Sequence, residues 1–197
     1  LPEPVRTAVE KFGLEFALNL TIDLTRPHTP QHFVDFFAGM GNGTGLPMHT
    51  LWQVSMIPEL IKASCTIMTG WGKATKDSDK PGMTQARLLD WGTDGPFQQF
   101  PLTLCYHPTS KKRKRGRHTF CSQGWAGLVG AITGLSSSGI GVQEKVWIAS
   151  TSFERMDGYP FHFLMQDILQ YDECMDDALS RVGSANRTCS IFLGVGS

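Results

Sequence analysis

Cys65, Arg87 and Asp90 are the residues whose types and spacing offer chemistry in this chain. Cys65 is followed by a short apolar run and a glycine-rich polar turn, and a second apolar run then carries the arginine and the aspartate three residues apart. A thiolate is a strong nucleophile, and its reactivity is set by the charges around it. Judged on residue type alone, a cysteine on an apolar strand is a small core residue and an Arg-x-x-Asp pair is a surface ion pair. On a strand the two charged side chains would also point to opposite faces, since residues three apart alternate in direction.

The six histidines, His28, His32, His49, His107, His118 and His162, show none of the ligand spacings that zinc sites use, so no metal is assigned. There is no phosphate-binding glycine loop and no Gly-x-Ser-x-Gly turn. No histidine and asparagine context of the papain kind accompanies Cys65. No cofactor is expected.

The elements that would position these residues change period at Cys65. Residues 1 to 64 read as helical. Val5, Val9, Phe12, Phe16 and Leu20 form a stripe at helical spacing, and Thr29-Pro30 reads as an N-cap and first-turn proline. The helix so opened has Phe33, Phe36, Phe37 and Met40 on one face and is expected to end in Gly39, Gly41, Gly43 and Gly45. A third helical run covers His49 to Lys62, with Pro58 placed to kink or divide it. Strands are then expected over Cys65 to Thr69, Gln85 to Trp91, Phe100 to Tyr106 and His118 to Ser122, and two more between Trp125 and Trp147 around a serine and glycine turn. Two helical runs follow, around Phe161 to Leu169 and Cys174 to Leu179, and a last strand spans Thr188 to Val195.

With 197 residues, 41% of them hydrophobic, the chain is long enough to bury a substantial core. Its formal net charge of zero gives no field that would recruit nucleic acid. No apolar run reaches the length of a transmembrane helix. Three sequons, at Asn19, Asn42 and Asn186, point to the secretory pathway. The cysteine count agrees: with Cys65 reserved for chemistry, Cys105, Cys121, Cys174 and Cys189 form an even set with three possible pairings. Lys111 to Arg117 holds six of the eighteen basic residues. It reads as a solvated loop, with a processing site or a contact with an anionic membrane surface as the sharper alternatives.

The order Cys65-Thr66, Arg87 to Asp90, and the stretch Gly124 to Lys145, with its Gly-Trp-x-Gly and Thr-Gly-Leu-Ser-Ser-Ser-Gly-Ile turn, resembles the cysteine N-terminal-nucleophile (Ntn) hydrolases. That group includes choloylglycine hydrolase, isopenicillin N acyltransferase and the acid ceramidase-like proteins. The resemblance implies an α+β fold, an αββα sandwich of antiparallel sheets begun by residues 65–197, with residues 1–64 as a helical pro-segment. It implies autocleavage between Ser64 and Cys65, which frees an α-amine able to serve as base for the cysteine's own sulfur. An α-amine titrates near neutrality, as such a base requires. Asp90 would then hold the amine, Arg87 would orient the thiol and the substrate carbonyl, and Trp125 and Ser136 would lie on the substrate side. Ser136 stands where relatives commonly have asparagine. The implied substrate is a small N-acyl, lipid-like amide, and the implied location is secreted or lysosomal.

The oxyanion-hole asparagine and a later arginine of that family fall beyond the counterpart of Val195. The site is therefore expected to be completed by further sequence or by a second chain. Otherwise the protein is a catalytically silent relative, kept as a glycosylated component of a larger assembly.

Overall fold

The computed structural model describes residues 10–60, 64–76, 82–90, 96–108, 118–147 and 155–197. The Lys111 to Arg117 run and Trp91 lie outside the described residues. The protein is α+β with antiparallel sheets, as expected. Residues 10–12 are helical, and after Gly13 come α1 (Leu14–Thr25), α2 (Gln31–Thr44) and α3 (Met48–Leu60). β1 (Ser64–Gly70) and β2 (Thr84–Asp90) form a two-stranded sheet of their own. β3 (Pro101–Tyr106), β4 (Phe120–Trp125), β5 (Thr133–Ser136), β6 (Gly141–Val146) and β7 (Ile191–Gly196) form a five-stranded sheet in sequence order. α4 (Phe161–Tyr171) and α5 (Met175–Ser184) lie between β6 and β7 in the chain.

The helices of the amino-terminal half differ from their sequence expectations in detail. In α1 the buried face is Ala17, Leu18, Thr21, Ile22 and Thr25, while Phe12 and Phe16 are exposed. Gly13, at φ 86°, precedes α1 and interrupts the expected helical stripe between Phe12 and Phe16, while Val5 and Val9 lie outside the described residues. Thr29 does not cap α2; its hydroxyl donates back to Thr25 O at 3.0 Å. α2 runs through Gly39, Gly41 and Gly43 and stops at Gly45, whose φ of 73° is the left-handed conformation that closes a helix at little cost for glycine. Pro58 sits inside α3 without dividing it.

The helical segment is packed into the body rather than appended to it. Phe33 and Phe37, wholly buried, meet Phe163 of α4 with ring centroids 4.2 Å and 6.1 Å apart, and Phe37 stacks on Trp52 at 4.9 Å. Ser55 on α3 donates to Gly127 O and accepts from Val129 N, at 3.1 Å and 3.0 Å. Phe163→Ala is expected to lower unfolding stability by about 3–5 kcal/mol, the range for emptying a buried aromatic site. Denaturant unfolding checks it. A loss under about 1 kcal/mol would mean that the helices and the sheet are only loosely joined.

Two layers cover β6, which explains why it is buried on both faces. On one face Val142 joins Phe161, Met165, Ile168 and Leu169 of α4 in a common core. On the other the β1–β2 hairpin packs against it: Gln143 Nε2 donates to Thr69 Oγ1 at 2.8 Å, and a Cβ on Gly141 would sit 2.5 Å from Gln85 Oε1. Glycine at 141 is what lets the two sheets approach so closely. The layer order from outside in is thus hairpin, sheet, helix.

Of the four remaining cysteines, Cys105 and Cys121 are joined by a disulfide across the β3–β4 register. Cys174 and Cys189 are thiols in this structure, so only one of the two expected disulfides is formed. Asn19 lies in the seam between α1 and α3, where its side-chain oxygen accepts from Gln53 Nε2 at 2.7 Å and lies 2.8 Å from His49 Nε2. Asn42 is exposed on α2, and Asn186 is exposed in the loop after α5.

Candidate active site

Strand alternation decides which side chains of the hairpin can meet. Along β2 Gln85, Arg87 and Leu89 turn inward and Ala86, Leu88 and Asp90 outward. Along β1 Cys65, Ile67 and Thr69 share the inward face. The register pairs Cys65 with Leu89 and Ile67 with Arg87, so Cys65 and Arg87 are diagonal neighbours on one face, a spacing long side chains bridge.

The guanidinium does bridge it. Arg87 Nη2 lies 3.2 Å from Cys65 Sγ. Arg87 Nε donates to Glu144 O at 2.8 Å, and Nη2 is also bonded to Glu144 Oε1. β5 pairs with β6 only over Gly141–Gln143, whereas β7 follows β6 to Val146. The arginine reaches the β6 backbone at the first residue past the end of the β5 pairing. The three residues come from three strands and are nearly closed to solvent: Cys65 is 2% exposed and the side chains of Arg87 and Glu144 are 5% and 4% exposed.

Burial governs the electrostatics. It pushes the Cys65 thiol above its ordinary range; the Arg87 charge pulls the other way and that of Glu144 adds to the rise. Cys65 is therefore held as a thiol that needs a base before it can attack. Burial also pushes Glu144 above the usual carboxylate range; Arg87 opposes this, and the charge of Glu59 on α3 reinforces it.

The pH consequence follows from linkage. A carboxyl whose folded pKa is raised holds its proton more tightly in the native state than in the unfolded one. Its contribution to stability is complete below the ordinary carboxylate pKa and is lost as pH rises through the raised value. Glu144→Gln removes that component. The stability difference between wild type and Glu144→Gln is expected to move against wild type as pH rises from about 4. Urea midpoints at a series of pH values measure it, and a difference independent of pH would remove the raised Glu144 from the account.

Asp90, Trp125 and Ser136 take up different positions in the fold. Asp90 is the cross-strand partner of Ser64 and so stands beside the Ser64–Cys65 bond, but its side chain is exposed on the outer face of the hairpin. Trp125 ends β4 in the sheet's core, its ring 4.9 Å from that of Phe97. Ser136 is buried at the turn between β5 and β6, where Ser138 N and Oγ lie 3.2 Å and 3.0 Å from its hydroxyl. That turn and the Glu144–Val146 end of β6 are separated by about 15–20 Å of strand. The structure thus joins Cys65 with Arg87, leaves Asp90 beside the bond, and places Ser136 at the far end of β6 from Glu144.

Glu144 is the residue that sequence reading missed. The signal was present: a charged residue between Val142 and Val146 on a strand whose like-facing positions are apolar is out of place unless it has a buried partner. Beneath it lies a second buried polar pair, Glu59 with His162. Glu59 Oε1 accepts from Phe161 N at 2.9 Å and is 3.5 Å from His162 Nδ1. Among the described residues no group of three or more His, Cys, Asp or Glu side chains is arranged to hold a metal ion, and no helix is long and apolar enough to cross a membrane.

No family model matches the sequence. The chain is 39% identical over 200 residues to protein dcd1A of Dictyostelium discoideum and 38% identical over 197 residues to protein dcd1B of the same organism. Both alignments take in the whole of this chain but only 44% and 38% of the relatives, so the chain spans less than half the length of the curated proteins it matches.

Proposed function

We propose that this chain is the nucleophile-bearing part of a cysteine Ntn amidase that acts on N-acyl, lipid-like amides in the secretory pathway or lysosome. The observation that carries the reading is the Arg87 guanidinium, fixed by Glu144 and 3.2 Å from Cys65 Sγ at the start of β1. A guanidinium held against a buried thiol offsets part of the burial that disfavours its thiolate, as a reacting cysteine needs. Against an αββα sandwich, the hairpin, the five-stranded sheet and α4 would supply three successive layers. The exposed Met68 and Leu88 on the hairpin's outer face are what a fourth layer would cover.

In the chain as it stands Cys65 is internal and has no α-amine. Maturation would begin with Cys65 Sγ adding to the Ser64 carbonyl carbon. The Cys65 backbone nitrogen leaves with the thiol's proton, and water hydrolyses the thioester to free the Ser64 carboxylate and the thiol. The new α-amine, next to Asp90 in the strand register, then accepts the thiol proton when a substrate amide is attacked. An acyl-enzyme forms, the substrate amine leaves with that proton, and water releases the acid. Arg87 orients the thiol and the carbonyl throughout.

A second reading rests on the same burial. Cys65 is 2% exposed and Asp90 turns outward, which suits a silent relative held as a glycosylated component of an assembly. The two separate under an electrophilic N-acyl amide analogue applied after incubation at acidic pH. Covalent labelling at Cys65, lost in Cys65→Ala, is the amidase outcome. An intact, unlabelled chain in fixed stoichiometry with other proteins is the silent one.

A further inference from the structure

A cavity of about 240 Å³ lies at the loop end of the β3–β4 hairpin, where it meets α2 and α4. It shares no residue with the Cys65 cluster. Its polar wall consists of His32, Tyr106, His107, His118, Gln166 and Gln170, and no carboxylate lines it among the described residues. The hydroxyl of Tyr106 and Nε2 of His118 are both buried without a hydrogen-bond partner. Two such orphans in one wall call for an explanation, because native proteins nearly always satisfy buried polar atoms.

The wall is also held rigid. The Cys105–Cys121 disulfide is one register step from the Tyr106–Phe120 pair, and those two rings stack at 4.6 Å. His118 N donates to Gln170 O of α4 at 2.8 Å. Burial keeps the Tyr106 phenol protonated, its pKa pushed up to about 12, so it can only donate to an anion. The carboxylate next to this wall, Asp167, is engaged by His32 at 2.9 Å and by the Tyr159 hydroxyl at 2.5 Å.

We propose that this cavity binds a compact oxyanion, a phosphate group, with Tyr106 Oη and the protonated Nε2 of His118 as donors. Tyr106 Oη can donate to an anion, and among the described residues no carboxylate lines the cavity to draw a cation and no trio of metal-ligating side chains is formed there. The site is independent of the amidase reading, and either can fail without the other.

Inorganic phosphate titrated calorimetrically into the intact protein tests it. One saturable site is expected, weakened roughly tenfold by Tyr106→Phe, which keeps the ring on Phe120, and similarly by His118→Gln. Thermal melting curves identify any variant that has lost its fold; Tyr106→Phe alone then decides. Vesicles of phosphatidylcholine with phosphatidic acid separate the two sources of phosphate. Sedimentation that depends on Tyr106 assigns a lipid headgroup, and phosphate binding without sedimentation assigns a free phosphate. No saturable phosphate binding, binding unchanged in Tyr106→Phe, or uptake of Zn²⁺ in place of phosphate would each overturn the proposal.

Discussion

Cys65→Ala is expected to leave the chain uncut at Ser64 and to lower amide hydrolysis by on the order of 10⁴–10⁶, the range for removing a nucleophile whose partners act as a unit. The expectation rests on one atom serving twice. Cys65 Sγ opens the Ser64–Cys65 bond and later carries the acyl group, so a single substitution removes both maturation and turnover. Cys65→Ser keeps a nucleophilic atom that ionises far less readily, and slower cleavage is expected of it than of wild type. Electrophoresis of the three proteins after acid incubation, with hydrolysis of a fluorogenic N-acyl amide, gives both readouts. Equal processing of wild type and Cys65→Ala would show that any cut is made by another protease.

Arg87→Met carries the second large effect, this time on stability. Arg87 and Glu144 are almost fully buried, and the guanidinium is bonded to both the Glu144 side chain and its backbone carbonyl. Removing it strands a carboxylate that burial already disfavours, at a cost of about 3–5 kcal/mol. The double variant Arg87→Met, Glu144→Gln removes the stranded charge and is expected to recover much of that loss without recovering activity. This split distinguishes a positioning cation from a merely structural one. If Arg87→Met unfolds at the wild-type midpoint, the buried pair contributes little. If the double variant also regains activity, Arg87 has no part in the chemistry.

How much of this was legible in the sequence depends on the range of the interaction that decides each feature. Local signals served well. The change from helical to strand period at Cys65 is real, and β2 occupies Thr84–Asp90 where Gln85 to Trp91 was expected. The tension between Arg87 and Asp90 was legible from strand alternation, and they do point to opposite faces. Where tertiary packing decides, local reading erred. Phe12 and Phe16 look like a core stripe but are exposed, because the face of α1 that meets α3 is the one bearing Ala17, Leu18 and Ile22. Gly39, Gly41 and Gly43 look like a terminator but are carried inside α2, whose Phe33 and Phe37 are anchored by Phe163 and Trp52, residues far away in sequence.

The same distinction holds at the site. The pairing of Cys65 with Arg87 needs only the register of one hairpin, and a sequence reader can reach it. Glu144 is 57 residues from Arg87 and meets it only because the hairpin lies across β6. Trp125 and Ser136 entered through a resemblance rather than a physical signal, and the structure places one in the core and the other in its own turn.

Cys65 is proposed as a nucleophile awaiting its own amine. Mass spectrometry of the purified protein before and after incubation at acidic, lysosome-like pH tests it most directly. A new amino terminus at Cys65, absent from Cys65→Ala treated in the same way, is the expected result. A Ser64–Cys65 bond that stays whole in the wild type under those conditions would contradict it.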